Sequence, residues 1–119
     1  MKRIDTRHSW NWVDENNRMV GFANGDQCCE DYGYTFVSDE DKELDLDDKL
    51  EDYSFTGLVG GASYTPEDYD QDDCNTESFE MTSKDGSRAW LVLWNHHNGY
   101  YSHSFEFKNG DETILDGDL

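Results

Sequence analysis

Carboxylates are the side chains this sequence offers most freely for chemistry, and they come in two runs. The first, Ser38 to Asp52, holds Asp39, Glu40, Asp41, Glu43, Asp45, Asp47, Asp48, Glu51 and Asp52 against Lys42 and Lys49. The second, Glu67 to Glu80, holds Glu67, Asp68, Asp70, Asp72, Asp73, Glu77 and Glu80 with no basic residue. On an extended chain, alternate residues share a face at about 6.6 Å spacing. Asp68, Asp70 and Asp72 would form such a row, close to the spacing of phosphates along one nucleic-acid strand. A turn or short helix at 39–52 would present a second cluster. Rows of this kind can occupy a Lys- and Arg-lined groove and release its bound anions, the counterpart of counterion release from DNA. Acid runs are also the ordinary composition of solvated loops. The excess of Asp over Glu and the scarcity of Lys fit adaptation to high salt equally well.

Metal chemistry is the competing use of the same residues. Asp68, Asp70 and Asp72 resemble the start of a calcium loop, but Asp73 and Phe79 stand where an EF-hand needs Gly and an acid. Cys28, Cys29, Cys74, His8, His96, His97 and His103 are possible zinc ligands, and none of the cysteines has Cys-x-x-Cys spacing. A Cys-His nucleophile would need a stabilised thiolate, which the negative field of so many carboxylates disfavours. These residues therefore predict no enzyme and no cofactor. A small calcium- or zinc-binding module, or a general protein-interaction module, is the alternative.

The charge balance excludes several classes. Nine Lys and Arg against 28 Asp and Glu leave a formal net charge of -19. A nucleic-acid binder needs cations to neutralise phosphates, so direct nucleic-acid binding is not expected. Anionic lipid surfaces repel such a chain, and no apolar stretch approaches the ~20 residues of a membrane helix. The start has no basic-then-apolar signal pattern. Cys28, Cys29 and Cys74 are odd in number, and the adjacent pair would point to opposite strand faces. Reduced thiols in a bacterial host cytoplasm are the expectation.

The elements that must position these residues are legible mainly through aromatic alternation. Four Trp, seven Tyr and six Phe oppose the disorder that charge alone would suggest. Ile4 to Val13, with Trp10 and Trp12 on one face, and Arg18 to Ala23 read as a hairpin across Asp14-Glu15-Asn16-Asn17. Tyr32, Tyr34 and Phe36 alternate as a strand. Ser38 is a candidate cap for a short helix around 45–53, although Asp is a poor interior helix former. Phe55 to Tyr64 is apolar and glycine-rich, and Gly60-Gly61 suggests a bulge or close backbone approach. Arg88 to Asn95 reads as a buried strand, with Trp90 and Trp94 in the core. Tyr100 to Phe107 and Thr113 to Leu115 follow turns at Asn98-Gly99 and Asn109-Gly110. The predicted fold is β-rich α+β: one domain over 1–119, a small antiparallel sheet of about five to seven strands in a meander, and at most one or two short helices. Acidic loops or a short helix occupy 38–53 and 66–77.

Two segments carry a resemblance. Asp26-Gln27-Cys28-Cys29-Glu30 and Asn98-Gly99-Tyr100-Tyr101-Ser102, the latter followed by Ser104-Phe105-Glu106-Phe107, resemble paired boxes in a family of short acidic phage and bacterial proteins without an assigned activity. The similarity spans roughly residues 18 to 107. Here Asp26 precedes Gln27, and His97 stands where the family more often has Ser. The resemblance implies a β-rich α+β domain and a phage or mobile-element origin, and no mechanism.

The functional expectation is a phage-encoded inhibitor of a bacterial defence system, of anti-CRISPR or anti-restriction type. It would mimic nucleic acid and block a basic host protein, such as a CRISPR effector or restriction enzyme. The carboxylates at 39–52 and 67–73 would make the contact, with Tyr100 or Tyr101 as an aromatic anchor. The chain would act as a monomer or homodimer.

Overall fold

The computed structural model describes residues 1–24, 31–66, 74–96 and 103–119. In chain order the strands are β1 (Lys2–Arg3), β2 (Ser9–Val13), β3 (Arg18–Ala23), β4 (Asp31–Ser38), β5 (Glu43–Leu44), β6 (Tyr53–Val59), β7 (Cys74–Ser83), β8 (Arg88–His96), β9 (Ser104–Asn109) and β10 (Glu112–Asp118). They form two five-stranded antiparallel sheets, β1-β2-β3-β9-β10 and β5-β4-β8-β7-β6. The fold is β-rich, and among the described residues the only helical element is a 3-10 turn at Leu50–Asp52.

Alternation explains why the sheets stack. Trp12, Val20, Phe22 and Phe107 project inward from the first sheet. Phe36, Phe55, Phe79, Met81, Leu91 and Leu93 meet them from the second. Phe107 bridges the layers, with ring centroids 5.6 Å from Phe55 and 5.2 Å from Phe79. At about 1.5–3 kcal/mol for each such buried side chain, this layer holds the acidic chain together.

The β2–β3 hairpin forms as its turn chemistry predicts. Asp14 Oδ1 accepts the Asn16 and Arg18 N–H groups at 3.0 and 2.8 Å, and Asn17 takes the left-handed backbone at φ 62°. The strand before it is shorter than Ile4 to Val13. Thr6 Oγ1 accepts the His8 and Ser9 N–H groups at 3.3 and 3.1 Å, which turns the chain and lets β1 pair along β2.

The predicted meander is divided between the sheets. Strand β8 pairs with β4 on one edge and β7 on the other, so neither edge remains for β9. Strand β9 pairs instead with β3 and β10 in the other sheet. Strands β8 and β9 therefore lie in different sheets and do not pair as a hairpin, and the Asn98-Gly99 turn expected between them lies outside the described residues. The helix expected around 45–53 shrinks to the 3-10 turn. Ser38 does not cap a helix; its Oγ accepts the Glu40 and Lys42 N–H groups at 3.2 and 3.4 Å in the β4–β5 turn.

Trp90 and Trp94 share a strand face, as their spacing requires, but it is the outer face of the second sheet. Trp90 packs there with Val37 and Val92, under Ala62 and Tyr64. Trp94 lies across Gly33, its cross-strand partner. Gly61 approaches Trp90 so closely that a Cβ would sit 3.0 Å from Nε1, so the glycine pair does mark a close backbone approach. The bulge itself falls between Phe55 and Val59, where Gly57 has φ 96°.

Candidate acidic binding surface

Residues 39–52 turn back on β4, supply the edge strand β5 of the second sheet and continue past it, anchored from below. Leu46 and Leu50 are 5% and 7% exposed, and Leu44 packs against the same core. Asp39, Glu40, Asp41, Glu43, Asp45, Asp47, Asp48, Glu51 and Asp52 are all exposed. The pattern follows from composition: the leucines are the segment's only apolar residues, so burying them turns every carboxylate outward. Asp41 takes the left-handed backbone of the β4–β5 turn at φ 58°, a conformation Asp tolerates better than most residues. Its Oδ1 accepts the Ser63 N–H at 3.0 Å, and Glu43 accepts the Tyr64 hydroxyl. Among the described residues, the segment's one ion pair is Lys42–Glu40, at 3.3 Å. Among the described residues, the segment's remaining carboxylates are exposed and make no direct ion pair, although Lys2 and Arg3 share a cleft with Asp47, Asp48 and Glu51.

A second acidic face was not anticipated from the sequence. On the outer side of the first sheet, a shallow trough of about 590 Å³ is lined by His8, Asn11, Glu106, Asp116 and Asp118. Small residues on β3, Gly21 and Ala23, leave the space between its walls. A Cβ at Gly21 would meet Asn11 Oδ1 at 2.8 Å, so the Asn11 amide lies across the floor. The parity signal was present: Phe105 and Phe107 face the core, which puts Glu106 outside between them.

Of the other candidates, Glu67, Asp68, Asp70, Asp72 and Asp73, the Cys28-Cys29 box, His97, Tyr100 and Tyr101 lie outside the described residues. Cys74 is buried, and burial pushes its thiol above the ordinary range. Cross-strand register places Cys74 beside His96 and His96 beside Asp31. Among the described residues, however, no three His, Cys, Asp or Glu side chains converge as a metal site. His103 is spoken for: it is 1% exposed, stacks on Tyr32 at 3.9 Å between centroids and places Nδ1 2.8 Å from the Ala23 carbonyl.

Two arginines stack on aromatic rings of the sheets. Arg3 pairs with Asp5 at 2.9 Å and lies over Tyr34, Trp10 and Trp12 at 4.7, 5.5 and 5.7 Å, pinning β1 to the sandwich. Arg88 pairs with Glu80 at 2.8 Å and covers Trp90. Both guanidiniums brace the scaffold, and Arg3, with Lys2, also lines a cleft with Asp47, Asp48 and Glu51. Among the described residues, no helix is long and apolar enough to cross a membrane. Comparison with protein-family models, curated proteins and solved structures finds no match for this chain.

Proposed function

We propose that this protein is a phage-encoded inhibitor of a bacterial defence system, acting as an acidic mimic of nucleic acid. Its carboxylates occupy a Lys- and Arg-lined groove of a CRISPR effector or restriction enzyme in the host cytoplasm. The observation that carries the reading is the 39–52 segment: nine exposed acidic residues on a leucine-anchored stretch with a single ion pair among the described residues, in a chain of net charge -19. Anchoring matters because carboxylates held in place lose less conformational entropy on docking than a floppy tail would. The charge steers capture and makes it salt-dependent. The resemblance to acidic phage and bacterial proteins supports the origin.

The test is competition with DNA or guide RNA for a panel of basic nuclease complexes. Neutralising Asp45, Asp47, Asp48 and Glu51 to the corresponding amides removes charge without touching the anchoring leucines. A member of the panel should be inhibited by the wild-type chain and at least about tenfold less by the variant, with inhibition fading as salt rises. Inhibition equal in both proteins would remove this segment from the contact. A panel untouched at low salt would overturn the mimic.

A further inference from the structure

We propose that residues 60–66 form a strap over the outer face of the second sheet, latched by the acidic β4–β5 hairpin, and that a cationic partner engaging Asp41 and Glu43 releases it. The release rests on the mimic reading; the latch itself does not.

After Val59 the chain leaves the sheet with no regular structure through residue 66. Gly60 and Gly61 make the exit at φ 85° and 103°, a backbone region other residues enter only with strain. The strap then lies over Val37, Trp90 and Val92, against which Ala62 and Tyr64 are half-buried while Gly61 and Ser63 stay exposed. Its near end is tied to the sheet. The Gly60 N–H donates to the Ser78 carbonyl at 2.7 Å, Trp90 Nε1 donates to the Gly60 carbonyl at 3.1 Å, and the Ala62 N–H reaches Ser78 Oγ at 3.4 Å. Its far end is tied to acids: the Ser63 N–H to Asp41 Oδ1 at 3.0 Å and the Tyr64 hydroxyl to Glu43.

The two ends therefore differ in kind. The hinge bonds belong to β7 and β8, in the most extensively paired part of the sheet. The latch bonds belong to two exposed carboxylates, the groups a Lys- or Arg-bearing surface would claim. A segment whose apolar side chains, Ala62, Tyr64 and Pro66, are only half-buried and whose latch hydrogen bonds are exposed opens at low cost. Turning Asp41 and Glu43 toward a partner's cations withdraws the acceptors from Ser63 and Tyr64. The strap, hinged at Gly60 and Gly61 and joined onward in the chain to β7 at Cys74, loses those two ties and lifts from Trp90 and Val92. Contact at the acidic edge is thus transmitted to an aromatic face that is covered in the free protein.

Amide hydrogen exchange by NMR tests both parts. For the latch, Asp41→Gly keeps the left-handed turn and removes the acceptor, and Glu43→Ala removes the other. The double variant should exchange the Ser63 amide about tenfold faster, with the Phe79 and Leu91 amides unchanged. Unchanged Ser63 exchange overturns the latch. For the release, octa-arginine added to the wild-type chain at low salt should shift resonances of residues 39–48 and speed Ser63 exchange together. Shifts without faster exchange overturn the release and leave the acidic contact standing. Residues 39–52 unperturbed by octa-arginine overturn the release along with the contact it rests on, while the variant arm still judges the latch.

Discussion

The Asp14 carboxylate accepts the Phe55 N–H at 2.9 Å, joining the β2–β3 turn of one sheet to edge strand β6 of the other. Arg18 completes the clasp by donating Nη1 to the Phe55 carbonyl at 2.8 Å. An edge strand presents unpaired backbone groups, and these two side chains satisfy both groups of Phe55 just before the bulge. Asp14 is only 6% exposed, so its loss would strand a buried N–H. Asp14→Ala should destabilise the fold by about 2–4 kcal/mol, and Arg18→Ala by about 1–2 kcal/mol. Urea unfolding checks both values. Additive effects in the double variant would show that the two side chains do not act as one clasp.

Trp94 fills the space a side chain at Gly33 would need. A Cβ there would lie 2.8 Å from Trp94 Cζ2 and 3.2 Å from Cε2. Gly33→Val should therefore push the indole off the sheet and weaken its 3.3 Å hydrogen bond from Nε1 to Thr35 Oγ1, at about 1–3 kcal/mol. Thermal unfolding measures the loss. Pairing Gly33→Val with Trp94→Ala should recover part of it, because the obstructing ring is gone.

The buried thiol of Cys74 should be slow to alkylate. Its pKa is raised by desolvation, so the thiolate fraction near pH 7.5 falls below that of a free cysteine. Iodoacetamide labelling followed by peptide mass mapping should find Cys74 protected in the folded protein and reactive in urea. Rapid labelling of Cys74 itself in the native chain would contradict its placement at the start of β7.

Asp85, in the β7–β8 turn, has its carboxyl lowered from 3.8 to about 2 by hydrogen bonds from Ser83 and Ser87. A carboxylate depressed in the folded state adds stability above its unfolded pKa and loses it as pH falls through the folded value. The stability difference between wild type and Asp85→Asn should be constant above about pH 4.5 and shrink steadily toward pH 2. Urea titrations across that window measure it. A difference that grows on acidification would have the wrong sign.

Self-repulsion follows from the net charge of -19 and the three ion pairs among the described residues. Salt should therefore raise the melting temperature, by about 3–6 °C for each kcal/mol of repulsion screened. Neutralising Asp45, Asp47, Asp48 and Glu51 should flatten that dependence. Calorimetry in dilute and concentrated NaCl decides it.

Local pattern was enough for most of the strands. Arg18 to Ala23 forms over the residues its alternation marks, and Tyr32, Tyr34 and Phe36 face one side because side chains alternate along any strand. The outward display of the 39–52 carboxylates was legible too, since three leucines alone had reason to go inside. Partnership between strands was not legible. Parity says that Trp90 and Trp94 share a face, but which face meets the other sheet depends on what lies beneath, and only assembly settled that Leu91 and Leu93 take the interior. The trough of Glu106, Asp116 and Asp118 arises because β10 pairs with β9 and brings together carboxylates about ten positions apart in sequence. The same holds for the clasp at Phe55 and for the strap held by Asp41 and Glu43. Composition and period act over a few residues, whereas those contacts exist only because two sheets close on a shared aromatic core.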